Sequence, residues 1–240
     1  MYEPPPPGQG YGPQYVYEPP PPPKPRHVAP KYSFWLGPRV GWFVPFGTVF
    51  YRCNPSTLGG CGSFSGVDWN DYASSGPMFE IDVGARLGRN YNLFLLWEHA
   101  SLGRGEVKEL QGTESGSFDS ASSDYFGLGL RVSSDPDKVG FLTEINLGAR
   151  RFKAEYANDT ELQFSEDVPL ELRLGLGADI RFSRLFSLSP MVTLGIGRFD
   201  TIELVQDGNT RDLMSDADEF ASHGWLTFQI GGHFDVAGGG

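Results

Sequence analysis

No stretch of this 240-residue chain approaches the about 18 consecutive apolar residues that a membrane-crossing helix requires, so helical spans are excluded. Cysteine is nearly absent. Cys53 and Cys61 are the only two, which rules out a disulfide-dense scaffold. They lie eight positions apart in a Gly/Ser-rich segment, and in an oxidising compartment they are expected to close a short loop as a disulfide. No further cysteine or nearby histidine completes the about four ligands of a zinc site, so no metal is expected there. The chain also lacks a basic patch and any phosphate-cradling motif. Its net charge is −11, and nucleic-acid binding is excluded. Its start, Met1-Tyr2-Glu3-Pro4, has no basic n-region and no apolar h-region. An export leader is expected to have been removed or left out.

What the chain does have is alternation. From Val168 to Phe182 every even position is apolar, while the odd positions are Pro169, Glu171, Arg173, Gly175, Gly177, Asp179 and Arg181. An unbroken period of two reads as one long strand with an oily face and a charged-or-glycine face. It exceeds the roughly 5–6 residues of an ordinary strand and the about 9–11 that a tilted strand needs to cross a bilayer. Mean hydropathy is −0.30, but barrel strands hide their apolar residues among polar ones, so this average is a weak test.

Seven more alternating segments follow the same rule. The first carries Phe34, Leu36, Val40, Trp42, Val44 and Phe46 on one face; the second carries Phe79, Ile81, Val83, Ala85 and Leu87. The third has Tyr91, Leu93, Leu95 and Trp97, blurred by Phe94 and Leu96. The fourth has Phe126, Leu128, Leu130 and Val132, and the fifth runs from Val139 to Ala149. The seventh has Leu188, Val192, Leu194 and Ile196. The eighth has Leu226, Phe228, Ile230 and Phe234 against Thr227, Gln229, Gly231 and His233. Short connections at 89–90, 134–138 and 183–186 alternate with long ones at roughly 48–76, 103–124, 153–167 and 199–222. Short turns on one rim and long loops on the other are the pattern of a transmembrane barrel. The expected fold is therefore an eight-stranded antiparallel transmembrane β-barrel, an up-and-down meander over 32–236. A Pro-rich flexible tail (1–31) precedes it and a flexible end (237–240) follows it.

The polar faces choose the medium. They carry Arg39, Arg86, Arg131, Arg150, Arg173 and Arg181 against Glu80, Asp82, Glu98, Glu144, Glu171 and Asp179, with no lysine. Arginine makes planar bidentate pairs with carboxylates and suits enclosed ion pairs. Glycines share this face, where a narrow lumen needs room for long neighbours. An internal salt-bridge network is expected, plugged further by Trp35 and Phe43, with hydrocarbon touching the leucine-rich side. Trp42, Tyr91, Trp97, Phe182, Phe199, Trp225 and Phe234 fall near strand ends and are expected in interfacial girdles.

The four long loops hold 19 acidic and 5 basic residues, and such loops are expected to be hydrated and mobile. Asp212, Asp216, Asp218 and Glu219, or Asp68, Asn70 and Asp71, cluster acids without the spacing of a calcium loop. Twelve of the 19 prolines lie in residues 1–31, where Tyr2-Glu-Pro-Pro-Pro-Pro7 recurs as Tyr17-Glu-Pro-Pro-Pro-Pro22. That segment is expected to be extended polyproline II, either a spacer or a docking ligand.

Over residues 32–236 this pattern resembles the small outer-membrane barrels of the OmpA, OmpX and OmpW type. The resemblance implies a cell outer-membrane location, with the tail in the periplasm and the long loops extracellular. It implies lipid and lipopolysaccharide as surroundings, a periplasmic partner for the tail, and structural, adhesive or small-solute roles without a cofactor. Such families often end on an aromatic residue, whereas Phe234 here is followed by Asp235-Val-Ala-Gly-Gly-Gly240. A rival reading comes from Glu98-His99-Ala100-Ser101, which is similar to the His and Ser of outer-membrane lipid A deacylases. His could activate Ser if a carboxylate oriented it, but Leu102 replaces the usual Asn and no partner acid is evident on the right face. The expected role is non-enzymatic, with a narrow channel as the alternative.

Overall fold

The computed structural model describes residues 28–55, 61–105, 118–156, 160–166, 171–206, 208–212 and 219–236. Residues 1–27 of the Pro-rich tail and the end at 237–240 lie outside the described residues.

Eight long strands form one ring. They are β1 (Tyr32–Phe46), β2 (Gly76–Leu87), β3 (Tyr91–Arg104), β4 (Phe118–Ser133), β5 (Val139–Tyr156), β6 (Glu171–Arg181), β7 (Met191–Gly197) and β8 (His223–Val236). Each pairs antiparallel with its sequence neighbour, and β8 returns to β1 with Phe228 opposite Trp42. The seventh stave continues as Phe186–Leu188 beyond Ser189-Pro190, where proline lacks the N–H that a ladder needs. The break leaves the register unshifted. Ser189 N–H still donates to the Gly231 carbonyl (2.7 Å), and the Pro190 carbonyl accepts from Ala178 N–H (3.1 Å). Gly88, at φ 81°, makes the tight turn between β2 and β3 that a residue with a Cβ would strain.

The alternation sorts side chains by face. Outward residues stay exposed, for example Val40 (55%), Leu95 (60%) and Phe126 (61%), while inward Arg39, Tyr125 and Arg131 are at most 1% exposed. Phe94 and Leu96, which blurred the third segment, point inward and pack with Trp35 and Tyr125. The inward glycines make room for these rings. A Cβ on Gly127 or Gly148 would lie 2.6 Å from the Tyr125 hydroxyl, and one on Gly129 would lie 2.3 Å from Phe94.

The long-loop rim departs from a set of bare loops. Thr48–Pro55 and Cys61–Asp68 pair as a ribbon that leads into a four-residue helix, α1 (Trp69–Tyr72). β4 begins at Phe118 and β5 runs to Tyr156, so the wall rises well above the expected strand ends. Residues 118–124 (Phe-Asp-Ser-Ala-Ser-Ser-Asp) are polar on both faces, which hides a period of two. The outer end of β5 then pairs with Thr160–Ser165, that strand with Thr201–Gln206, and that one with Asn209–Asp212. Within this mouth sits an apolar cluster of Phe43, Trp69, Tyr72, Phe152, Phe164, Phe199, Ile202 and Trp225. Trp225 (1% exposed) and Phe199 (0%) are therefore not girdle residues. They share the inward parity and are sealed from water by the cap above them.

Candidate functional site

The lumen is built from ion pairs. All twelve charged residues singled out from the sequence are inward and at most 7% exposed. Nine of them join into one network. Arg150 donates to Glu171 (2.6 Å) and Glu98 (3.0 Å), and Arg173 to Glu98 (2.7 Å) and Glu80 (3.4 Å). Arg39 reaches Glu80 (2.7 Å), Asp82 (2.8 Å) and Glu144 (3.3 Å). Arg131 reaches Glu144 (2.7 Å) and Asp82 (3.1 Å). The four arginines come from β1, β4, β5 and β6, and most of these bonds cross the lumen rather than join neighbouring strands. Arginine serves here because one planar fork can satisfy two or three carboxylates at once.

Arg86, Asp179 and Arg181 lie apart, toward the short-turn rim. Arg86 and Arg181 both donate to Asp235 (3.0 Å each), and Ser33 donates to the same carboxylate (2.6 Å). Asp179 accepts from the Ser189 hydroxyl (3.4 Å). Asp235 is not among the twelve charges that the sequence singles out, although the barrel it predicts runs to 236. Its odd position continues Gln229, Gly231 and His233 on the lumen face, and that was the available signal. An aromatic belt separates the two ionic groups. Trp35 stacks on His233 with centroids 4.3 Å apart, and the Arg131 guanidinium lies 4.3 Å over Trp35. Arg131 also meets His233 Nε2 directly, and His233 Nδ1 contacts Ser189 Oγ (3.1 Å).

Above the network, Trp225 Nε1 donates to Glu171 (2.8 Å), which ties the cap to the ion pairs. Glu166, in the loop after β5, accepts from Arg150 N–H (2.7 Å). Burial, then the nearby Glu171, push its carboxyl up from 4.5 to about 8. At the opposite rim Asp137 is held below its ordinary value. Its small burial is outweighed by bonds from Ala29 N–H (2.8 Å) and Arg89. The lumen thus carries apolar rings, a nine-membered ionic network, an aromatic belt and a smaller ionic group, in that order. The outward wall is a continuous apolar band. Among water-soluble folds the oily face would be the one inside.

No protein-family model matches the chain, and no curated protein matches it. Solved structures do. The outer membrane protein OprG from Pseudomonas aeruginosa aligns at a TM-score of 0.51, 10% identity, over 89% of this chain and 100% of that one. Neisserial surface protein A aligns at 0.49 and 11% identity, over 85% and 99%. A major outer membrane protein from Thermus thermophilus aligns at 0.43 and 15%, over 84% and 99%. The chain has the fold of a small outer-membrane β-barrel. In that fold the short turns face the periplasm and the long loops the cell exterior.

On the barrel's outward face, His99 has the carboxylate that the sequence did not reveal. Asp124, directly opposite it on β4, meets His99 Nδ1 at 3.0 Å and accepts from Trp97 Nε1 at 3.2 Å. Ser101 makes no hydrogen bond with His99 among the described residues. The geometry supplies an oriented imidazole without a nucleophile joined to it. Asp68 and Asp71 fasten α1. Thr48 Oγ1 donates to Asp68 (2.8 Å), and Asp68 N–H donates to Asp71 (3.0 Å). The acids at 213–218 lie outside the described residues, as do the side chains of Cys53 and Cys61, so the expected disulfide has no geometry to report.

Proposed function

We propose that this barrel is a non-enzymatic protein of the outer membrane with a structural or surface-interaction role, and not an open pore. The observation that carries the reading is the filled lumen, where an apolar cap and a cross-barrel ionic network occupy the space that a solute would use. Eight strands enclose a lumen narrow enough for side chains to fill. The loop sequences, acidic on balance, are the parts displayed to the exterior. Lipid and lipopolysaccharide are the surroundings this reading assigns, and the Tyr-Glu-Pro-Pro-Pro-Pro repeat is the segment offered to a periplasmic partner.

Planar-bilayer recording of the full chain tests the reading. Quiet membranes are the expected result. Stable, ion-selective current steps would replace it with the narrow-channel alternative.

A further inference from the structure

The cap over the lumen includes a ribbon of two strands, Thr160–Ser165 and Thr201–Gln206, laid against the outer end of β5. Leu162, Phe164 and Ile202 share one parity and enter the aromatic cluster in the mouth. The ribbon is pinned at its lower corner. There the ladder with β5 ends on Ser165 opposite Arg151, and Glu166 continues it with two bonds to Arg150. Glu166 N–H donates to the Arg150 carbonyl (3.2 Å), and Arg150 N–H donates to the Glu166 carboxyl (2.7 Å). The second strand starts from the same corner, where Asp200 N–H donates to the Ser165 carbonyl (3.2 Å).

Glu166 is 7% exposed, and its second oxygen, Oε1, has no hydrogen-bond partner among the described residues. That oxygen fills the space left by Gly197 on β7, where a Cβ would lie 2.6 Å from it. Four charged or titratable groups face the carboxyl: Arg150 from β5, Glu171 from β6, Asp200 from the root of the ribbon and His223 from β8. The guanidinium among them is already committed to Glu171 (2.6 Å) and Glu98 (3.0 Å). His223 is enclosed by the rings of Trp69, Phe199 and Trp225. An ionised Glu166 therefore adds a third carboxylate beside Glu171 and Asp200, with no cation of its own. A protonated Glu166 adds none.

We propose that Glu166 is a proton-operated clasp on the mouth: protonated, it holds the ribbon against β5, and ionised, it turns out to water and the ribbon lifts while the barrel below stays closed. The proposal rests on the filled-lumen reading above and adds its regulation. The shut form keeps a proton up to about 8, whereas the hydrated carboxyl of the lifted form releases it near 4.5. Rising pH therefore favours lifting, by up to about tenfold per unit between about pH 5 and about pH 8. The mouth is shut in mildly acidic surroundings and loosens as the exterior turns alkaline, which uncovers Leu162, Phe164, Ile202 and the rings beneath them.

Amide hydrogen exchange of the full chain in nanodiscs, read by mass spectrometry at about pH 6 and about pH 9, tests the clasp. Protection is taken relative to the intrinsic exchange rate at each pH. At the higher pH the wild type is expected to lose at least about tenfold protection in Thr160–Ser165 and Thr201–Gln206, with residues 126–132 of β4 unchanged. E166Q is expected to keep its ribbon protection at both pH values. E203Q, in the same ribbon with the opposite parity to Ile202, is expected to lose protection as the wild type does. An unchanged wild-type ribbon overturns the clasp, and so does a parallel loss in β4, which would be loosening of the whole barrel. Neither outcome needs a variant that folds. A loss that persists in E166Q also overturns it, by moving the titration to His223 or Asp200. Retained protection in E203Q does the same, by showing that any acid of the ribbon serves. Current steps in the bilayer recording would overturn the filled-lumen reading, whereas equal exchange in wild type and E166Q overturns the clasp alone.

Discussion

The two faces of β4 are a few ångströms apart and obey opposite rules. Outward, Phe126, Leu128 and Leu130 are 61%, 52% and 40% exposed; inward, Tyr125 and Arg131 are at most 1% exposed. In a water-soluble barrel this arrangement would strand charges in the interior and grease in solvent. Here the medium on each side is reversed. Hydrocarbon takes the leucines without penalty, and the lumen takes the arginines because each finds carboxylates waiting. The same period of two therefore carries no information about sidedness. The chemistry of the polar members carries it, with arginine in place of lysine and glycine where a soluble surface would not benefit from it.

Breaking the inner rule should have the largest effect. Arg150→Met leaves Glu98 and Glu171 buried without their shared partner, and removing one member of a buried ion pair costs about 3–5 kcal/mol. Urea unfolding from lipid vesicles should show that loss. Breaking the outer rule comes next. Leu128→Arg places a guanidinium in the apolar band, with an expected loss of about 2–4 kcal/mol in the same assay. An equal tolerance of both changes would mean that neither face meets the medium assigned to it.

The mouth sharpens the comparison, because there a charge is buried with too little compensation. Glu166 keeps its proton up to about pH 8 in the folded barrel, against an ordinary 4.5. The folded form therefore holds a proton that the unfolded chain has released. Stability falls as pH rises from about 4.5 to about 8, and the whole penalty is present above that range. Glu166→Gln should remove this slope. The variant should unfold later than wild type at about pH 9, by up to about 5 kcal/mol, and match it near about pH 4. A smaller consequence concerns the outward dyad. Ser101→Ala should leave the acylation of lipid A extracted from expressing cells unchanged, because no bond links Ser101 to His99. A shift in lipid mass between the two strains would restore the hydrolase.

The staves and their sidedness could be read from the sequence; which charges pair with which could not, since nine of the twelve join one network while Arg86 and Arg181 turn to Asp235. What escaped has a common cause. Asp124 sits 25 residues from His99 and meets it only through strand pairing. The cap depends on Trp69, Phe152, Phe199 and Trp225 converging from separate segments, and α1 is too short to show a period. Trp225 and Phe199 looked like girdle residues because sequence places them near strand ends. Only the three-dimensional mouth shows that those ends are roofed. Asp235 is different, since its odd position continues the alternation of the eighth strand and its partners Arg86 and Arg181 come from distant strands.

The cross-lumen ion pairs have one more consequence. Arg39 on β1 binds Glu144 on β5, and Arg173 on β6 binds Glu98 on β3. No single hairpin contains both ends of such a contact, so a half-built sheet satisfies Arg39 and Glu144 only through their neighbouring-strand partners and leaves these cross-lumen bonds unmade. The cross-lumen bonds add to the neighbouring-strand pairs once the sheet curls far enough to bring β1 to β5 and β3 to β6. Curling of the sheet into a cylinder is thereby favoured by bonds that a flat ribbon of the same strands cannot make.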